Sequence, residues 1–335
     1  MNIFKKHVRN LCNFDNMNNH LDEQHIKKIE NINFQPVFIL GFYRSGTSIF
    51  YKMLSETNCF NPVIAYHLIK YDELLHNHIN KIEGNTKKDL TNYLQKIQKD
   101  RKIDRLKISA DFAEEYGFLL SSRTSQSTIS KKNLNLFTEL GKKIQFISEN
   151  NKPILLKNPI DLSNFIFIKK HFPNAKFIFL HRHPFNVSSS FIKAFRLLLT
   201  EKSPYVSILL KQYNQLYDYR LLLFTFRILT GSLSPIGMMI LIKFYSLLIN
   251  KYLKNISNLS QGDFIEITYE NLCEKPNKTM NEIFDFLKIE TKNLDFSNYI
   301  KTRKTNLDPN VKKFHSFVYK NMKNYFKKFN YKSSL

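Results

Sequence analysis

The stretch PVFILGFYRSGTSIFYKML, residues 36–54, decides the fold. It starts as a short apolar run and continues as GFYRSGTS at 41–48, which has the form G-x-x-x-x-G-T-S. A phosphate-binding P-loop has the form G-x-x-x-x-G-K-[ST] and joins a strand to a helix. Gly41 and Gly46 have the required spacing, and the closing Ser48 is present. The sequence therefore predicts an anion-binding loop between a strand at 37–40 and a helix at 45–55.

The side chains of this loop favour an anion other than the γ-phosphate of a nucleotide. Arg44 offers a planar guanidinium that matches oxyanions, and Ser45, Thr47 and Ser48 offer hydroxyl donors. Thr47 replaces the lysine of NTP-hydrolysing P-loops, and no aspartate for Mg²⁺ follows the strand predicted at 176–180. We therefore expect no metal and no γ-phosphoryl transfer. A nucleotide or small-molecule kinase is the alternative function, and a solvent-facing arginine on a tight turn is the structural alternative.

A second anion site is predicted in LHRHPFNVSSSF, residues 180–191. Arg182 follows a predicted strand, and Ser190 lies eight residues later, about two turns into the next helix. Both side chains could reach one phosphate, while the neighbouring His183 is expected to be structural. Two separate anion sites on one sheet edge suit a ligand that carries phosphates at both ends.

Strand and helix signals alternate along the chain and predict an α/β fold. Apolar runs at 37–40, 106–109, 154–156, 176–180 and 264–267 indicate strands, and helical patterns at 45–55, 162–171, 186–199 and 278–287 indicate helices. This alternation predicts a P-loop-NTPase-like three-layer fold, with a central, mostly parallel sheet and helices on both faces. We expect one domain over 34–332, with a helical apolar insertion at about 197–258, after a loose polar lead-in at 1–33.

Four segments in the same order resemble the 3'-phosphoadenylyl-sulfate-dependent sulfotransferases. PVFILGFYRSGTSIF is similar to their 5'-phosphosulfate loop, P-x-F-[IV]-x-G-x-x-[RK]-S-G-[TS]-[TS], and Arg182 and Ser190 keep the spacing of their 3'-phosphate segment. ILLKNPIDLSNFIFIKKHFPNAKFIFLHRHPFNV and ITYENLCEKPNKTMNEIFDFL resemble the bacterial and tyrosylprotein-type branch. The resemblance runs from about 34 to 330 and is weakest over 197–258.

This resemblance implies sulfuryl transfer from 3'-phosphoadenylyl sulfate to a hydroxyl or amine of an acceptor such as a glycan, a lipid or a protein tyrosine. It places Arg44, Ser45, Gly46, Thr47 and Ser48 at the 5'-phosphosulfate. It also places Arg182 and Ser190 at the 3'-phosphate. The donor is a co-substrate, and transfer requires positioning and charge stabilisation at the bridging oxygen rather than a metal.

The general base of such a transfer has three candidates here. Glu114 and Glu115 follow a strand-like run in ISADFAEEYGFLL, where Ala113 replaces the proline of the similar segment in related bacterial branches. The alternative is a solvated pair of carboxylates in the first turn of a helix. His67, in NPVIAYHLIKYDELL, falls near the position of the catalytic glutamate of tyrosylprotein-type enzymes. Its alternative is a packed core histidine.

Composition limits the partners and the compartment. The formal net charge is +23, but the lysines are spread along the chain without a dense basic block. The charge therefore has two interpretations, solvated lysine faces or an anion-binding surface. No nucleic-acid partner is expected. The three cysteines, Cys12, Cys59 and Cys273, lack C-x-x-C spacing, which argues against a disulfide framework and a zinc site. The N-terminus has no apolar run of secretory-signal type. We expect a cytoplasmic protein.

An apolar stretch at 221–249 leaves two interpretations open. Arg227 and Lys243 interrupt it, and the uncharged part between them, 228–242, is shorter than the roughly 20 residues of a membrane-spanning helix. The pattern predicts two apolar helices joined at Ser234-Pro235. They form either a buried helical pair or a monotopic element that dips into a membrane surface. In the second case the protein is peripheral to a membrane. The abundance of tyrosine and phenylalanine and the insertion at 197–258 favour an apolar acceptor site, as for a lipid or a lipid-linked sugar.

Overall fold

The computed structural model describes residues 20–291, 294–300 and 306–334. The strands are β1 Pro36–Gly41, β2 Asn61–Pro62, β3 Asp100–Arg101, β4 Leu106–Lys107, β5 Ile154–Lys157, β6 Lys176–His181 and β7 Phe264–Thr268. The helices up to β7 are α1 Thr47–Ser55, α2 Ala65–Ile69, α3 Leu74–Ile79, α4 Glu83–Ile97, α5 Gly117–Thr124, α6 Leu134–Ile147, α7 Phe165–His171, α8 Pro184–Thr200, α9 Pro204–Leu209, α10 Lys211–Asp218, α11 Arg220–Thr230 and α12 Ile236–Asn255. After β7 come α13 Tyr269–Glu274, α14 Pro276–Leu287, α15 Pro309–Lys313 and α16 His315–Lys328.

The central sheet has the strand order β2-β5-β1-β6-β7, and all four pairings are parallel. β1 lies in the middle and is buried along its whole length, as its unbroken apolar sequence predicts for a strand covered on both faces. In register, Ile39 pairs with Lys157 of β5 and Gly41 pairs with Leu180 of β6. The carboxyl ends of these strands therefore meet at one edge.

Helices cover both faces of this sheet, which confirms the predicted α/β three-layer architecture. Phe38 and Leu40 of β1 point into a core formed with α6, α7, α8, α12 and α16. Val37 and Ile39 point into a second core formed with α1 and α14. The alternation follows from the two-residue period of a strand. Helices predicted at 45–55, 186–199 and 278–287 match α1, α8 and α14 within two residues.

One predicted strand is short and lies outside the central sheet. The run at 106–109 contributes only β4, which pairs with β3 in an antiparallel two-stranded ribbon outside the central sheet. Its neighbours from Lys99 to Arg105 are mostly charged, so this segment cannot be buried on both faces as a parallel strand requires. The edge position is taken instead by Asn61 and Pro62, two residues of low strand propensity that sit where proline is tolerated.

The prediction of a loose lead-in at 1–33 is wrong for the part that the structure describes. Residues 1–19 lie outside the described residues. A 3₁₀-helix covers Glu23–Ile29, and its Ile29 is buried. Asp22 is buried as well, and its carboxylate lies 2.9 Å from the buried Nζ of Lys143. These contacts tie the segment to α6.

The helical insertion between β6 and β7 has the predicted form. α11 and α12 are joined by the turn 231–235, which contains Ser234 and Pro235 as the sequence predicted. Two side chains from outside the hairpin hold the turn: Arg196 of α8 donates Nη2–H to the carbonyl of Gly231 at 3.1 Å, and Asn310 donates Nδ2–H to the carbonyl of Ser234 at 2.9 Å. We call α11, the turn and α12, residues 220–255, the hairpin.

Candidate active site

The glycine loop lies at the carboxyl edge of the sheet, between β1 and α1. A Cβ on Gly41 would lie 2.6 Å from the carbonyl oxygen of Leu180, so the loop approaches β6 more closely than any side chain allows. Gly46 has φ 104°, and a Cβ there would overlap the ring of Tyr269. Ser45 is buried and donates Oγ–H to the carbonyl of Phe42 at 2.8 Å. Both glycines are therefore required by this geometry.

Arg44 occupies the centre of the loop in a left-handed conformation, with φ 71°. This conformation is uncommon for a residue with a Cβ and occurs often in turns and binding loops. Its Nε–H donates to the Oγ of Ser190 at 3.2 Å, and Nη2–H donates to the carbonyl of Ile103 at 2.9 Å. Burial lowers the pKa of Arg44 while Asp104 opposes that shift, so the site is desolvated around a cation.

Arg182 begins the turn after β6 and lies against the loop. Its Nη1–H donates to the carbonyl of Arg44 at 3.1 Å, and its guanidinium lies 4.1 Å from the centre of the Tyr269 ring. Among the described residues, no atom accepts a hydrogen bond from its buried Nε–H. The structure thus brings Arg44, Arg182 and Ser190 together, and an orphaned donor in this group fits an anionic ligand.

Lys157 is a residue of this site that the sequence analysis did not single out. It ends β5, its side chain is buried, and its Nζ lies 3.1 Å from the Oγ of Ser48 and 3.2 Å from a carboxylate oxygen of Glu115. The loop lacks the P-loop lysine at Thr47, and a neighbouring strand supplies an ammonium group to the same loop. A lone lysine closing the apolar run ILLK was the available signal, since such a charge is rarely buried without a purpose.

The two adjacent carboxylates have different surroundings. Glu114 is buried and accepts a hydrogen bond from the hydroxyl of Tyr205 at 2.8 Å, with Arg101 3.5 Å away. Burial raises the pKa of Glu114, and Arg101 opposes this shift. Glu115 instead faces the loop through Lys157. Since both side chains are buried and α5 begins only at Gly117, the alternative of a solvated first turn is wrong.

His67 lies in a packed environment. It is buried in α2, and its Nδ1 accepts a hydrogen bond from the backbone N–H of Ile64 at 3.3 Å. Burial, together with the smaller effect of Lys87, lowers the pKa of His67 to about 3. The structure reports no contact between His67 and the loop side chains within the described residues. His183, by contrast, caps α8 by accepting a hydrogen bond from the N–H of Phe185, as expected for a structural residue.

A cluster of aromatic side chains connects the glycine loop to the hairpin. Tyr245 of α12 donates its hydroxyl to the carbonyl of Tyr43 at 3.2 Å, and its ring centre lies 4.8 Å from that of Phe42. Phe191 of α8 lies 5.8 Å from Tyr245 and 6.2 Å from Tyr43 between ring centres.

Tyr269 on the other side of the loop was also not singled out, although it lies in the quoted segment ITYENL. The part of the chain that the structure describes has no cluster of three or more metal-ligating side chains.

Comparisons with known proteins identify the family and agree with the fold. The model of the family described as "Sulfotransferase family" matches residues 36–293. The solved structure of sulfotransferase STF9 from Mycobacterium avium aligns with a TM-score of 0.62 at 14% identity, covering 93% of this chain and 81% of that one. Sulfotransferase STF1 from Mycobacterium tuberculosis H37Rv aligns with a TM-score of 0.53 at 14% identity, covering 80% and 71%. At these identities the two structures support the fold. No curated protein matches the chain.

Proposed function

This chain belongs to the sulfotransferase family and is a sulfotransferase, and we propose that its donor is 3'-phosphoadenylyl sulfate and its acceptor a hydroxyl or amine. The observation that carries the donor assignment is the convergence of Arg44, Arg182 and Ser190 at the glycine loop, with a buried arginine N–H that has no acceptor among the described residues. We assign the loop residues Arg44, Ser45, Gly46, Thr47 and Ser48 to the 5'-phosphosulfate, and Arg182 and Ser190 to the 3'-phosphate.

Charge stabilisation is the main task of the protein groups in this proposal. The bound donor supplies the sulfuryl group, which leaves the bridging oxygen of the 5'-phosphate and bonds to the acceptor oxygen or nitrogen. Arg44 of the loop and Lys157 beside it are two of the cations at this site, and the protein desolvates both of them before the ligand enters. Preorganised cations in such a site stabilise the charge that develops on the leaving oxygen. Lys157 also holds Ser48 in place.

We propose Glu115 as the general base that takes the acceptor proton. Its carboxylate contacts the ammonium group of Lys157, which in turn contacts Ser48 of the loop. The carboxylate of Glu114 instead contacts Tyr205 and Arg101. Glu115 donates its backbone N–H to a carboxylate oxygen of Glu114 at 3.1 Å, which makes Glu114 a positioning residue. His67 remains the third candidate. Its Nδ1 accepts the hydrogen bond from the N–H of Ile64, so in the neutral ring Nε2 carries the proton, and His67 could act as a base only after losing this hydrogen bond.

Calorimetric titration with adenosine 3',5'-bisphosphate tests the donor site, with Mg²⁺–ATP as the competing ligand. We expect tight bisphosphate binding, and a loss of roughly 10- to 100-fold in Arg44→Ala and in Arg182→Ala, since each removes charge-assisted hydrogen bonds. The matched control is Arg123→Ala, because Arg123 forms a surface ion pair with Asp72 away from the loop. Binding of Mg²⁺–ATP without binding of the bisphosphate would refute the donor assignment and restore the kinase alternative.

A further inference from the structure

The hairpin exposes apolar side chains where a water-facing surface would be polar. Leu233 in the turn is 99% exposed, Leu221 on α11 is 84% exposed and Leu247 on α12 is 71% exposed. Phe224 and Ile240 lie between them and are also exposed. Single exposed apolar residues are common, but a contiguous group of this kind marks an interaction surface.

α12 is apolar on both of its faces. Its inner face places Met238, Leu241 and Tyr245 in the core beside α16. Its outer face carries Ile236, Ile240, Phe244 and Leu247, spaced by four, four and three residues, which is the spacing of one helical stripe. A helix at the surface of a water-soluble domain has a polar outer stripe. The outer stripe of α12 is therefore better suited to contact with an apolar medium than with water.

The positive charges of this region favour a partner surface that is negatively charged. Residues 219–258 contain five basic residues and no acidic one. Lys243 and Lys251 lie on the exposed side of α12 together with the apolar stripe. Long lysine side chains can keep the stem along apolar surface while the ammonium reaches a polar headgroup. Two copies of this face would repel each other, because each chain carries a net charge of +23 and neither offers acidic partners here.

The uncharged part of α12 is too short to reach across a bilayer. No charged residue occurs between Arg227 and Lys243, so α12 is uncharged from Ile236 to Ile242. Seven helical residues rise about 10 Å along the helix axis, whereas the hydrocarbon core of a bilayer is about 30 Å thick. Leu233 lies at the tip of this uncharged end.

Crossing the bilayer is a different arrangement and does not fit the packing. By length and composition, Ile236–Asn258 is one helix among the described residues that could span a membrane. A third of its most apolar window is buried inside the protein, against α16 and the core below the sheet. A membrane-spanning orientation of this helix would remove these contacts. The turn is also fixed to the domain by Arg196 and Asn310.

We propose that the hairpin docks this enzyme on one leaflet of an anionic lipid bilayer. The apolar outer face of residues 220–247 enters the interface, and Lys243 and Lys251 contact the headgroups. This surface goes beyond the sulfuryl transfer proposed above and does not depend on it. Tyr245, on the inner face of the same helix, touches the glycine loop, so docking would place the active site next to the membrane.

Vesicle flotation of the full chain tests this docking. The probes are vesicles of phosphatidylcholine alone and of equal parts phosphatidylcholine and phosphatidylglycerol, each at low and high salt. We expect the wild-type chain to float with the anionic vesicles, and at least about tenfold weaker binding for Leu233→Glu/Ile240→Glu, since burying each side chain contributes more than a factor of ten. Neutralising Lys243 or Lys251 by glutamine is expected to weaken anionic binding by about fivefold each.

The matched control is Ile82→Glu/Leu294→Glu, which adds the same charge at two exposed apolar side chains outside the hairpin. It should float like the wild type. Circular dichroism and bisphosphate titration of every variant distinguish a loss of membrane binding from a loss of folding. If the wild-type chain does not bind the bisphosphate, the proposed donor is wrong, but the conclusion from the vesicles is unaffected. Wild-type protein that stays unbound, equal flotation of the Leu233→Glu/Ile240→Glu variant, or equal binding to neutral vesicles would overturn the proposal. So would a wild-type dimer that this variant converts to monomer.

Discussion

The carboxyl edge of the sheet and the outer face of the hairpin depart from the usual burial pattern in opposite directions. At the sheet edge, the charged groups of Lys157 and Glu115 are buried, and each has an oppositely charged partner. On the hairpin, Leu221 and Leu233 are exposed. Buried charge and exposed apolar surface both cost free energy in water, so neither is explained by stability alone. The difference lies in the ligand that we propose for each region: an anion at the sheet edge and an anionic lipid surface at the hairpin.

The largest effect is expected from the carboxylate of Glu115. Glu115→Gln keeps the size and the burial of the side chain but removes the proton acceptor. We expect kcat to fall by about 10²- to 10⁴-fold, the range of general-base catalysis, with bisphosphate affinity unchanged. The measurement is turnover of an acceptor found by screening phenols, sugars and lipid hydroxyls. If Glu114→Gln is the variant that loses turnover while Glu115→Gln keeps it, the two carboxylates exchange roles.

Substitutions at two buried lysines distinguish a charge that serves catalysis from a charge that serves stability. Lys157→Met is expected to lower kcat by about 10²- to 10³-fold, since it removes a preorganised cation from the loop. Lys143→Met leaves Asp22 buried without its cation and is expected to lower the free energy of unfolding by about 3 kcal/mol. Turnover per folded molecule should then stay at the wild-type value. Equal losses of turnover in both variants would mean that Lys157 serves only the fold.

The protonation of His67 distinguishes a packed histidine from a base. Its pKa is lowered to about 3 in the folded protein, so below about pH 6.5 the unfolded chain binds a proton that the folded chain does not. The free energy of unfolding should therefore fall as the pH drops from about 6.5 to 3, by at most about 1.4 kcal/mol per pH unit from this group. Urea unfolding of His67→Gln should show a shallower pH dependence with turnover retained. Loss of turnover in this folded variant would instead support His67 as the base.

The smallest effect is expected on the hairpin in the absence of lipid. Ile240→Glu replaces an exposed side chain that contacts water in the isolated protein. We expect the free energy of unfolding to change by no more than about 0.5 kcal/mol, as for other surface substitutions. Bisphosphate affinity should also be unchanged by calorimetry. A clear loss of stability would show that Ile240 packs against another part of the protein and would weaken the contrast between the two regions.

The elements that could be predicted from sequence are those whose signal is local. β1 and β6 are continuous apolar runs, and the glycine spacing identifies the loop between β1 and α1. The edge strand at Asn61–Pro62 has no such signal, because it forms only through pairing with β5. In the candidate site, Arg44, Arg182 and Ser190 follow motifs. Lys157 joins them only through the register of β5 against β1, which no local pattern contains.

The position of Lys157 also has a consequence for folding kinetics. A P-loop lysine lies inside its own loop, whereas Lys157 reaches Ser48 across 109 residues of chain. The anion cradle is therefore a high-contact-order structure that exists only after β5 has docked beside β1. In a refolding experiment, we expect the appearance of bisphosphate binding to follow the slow assembly of the sheet rather than the early formation of α1. The ligand would then serve as a kinetic probe of the last long-range pairing.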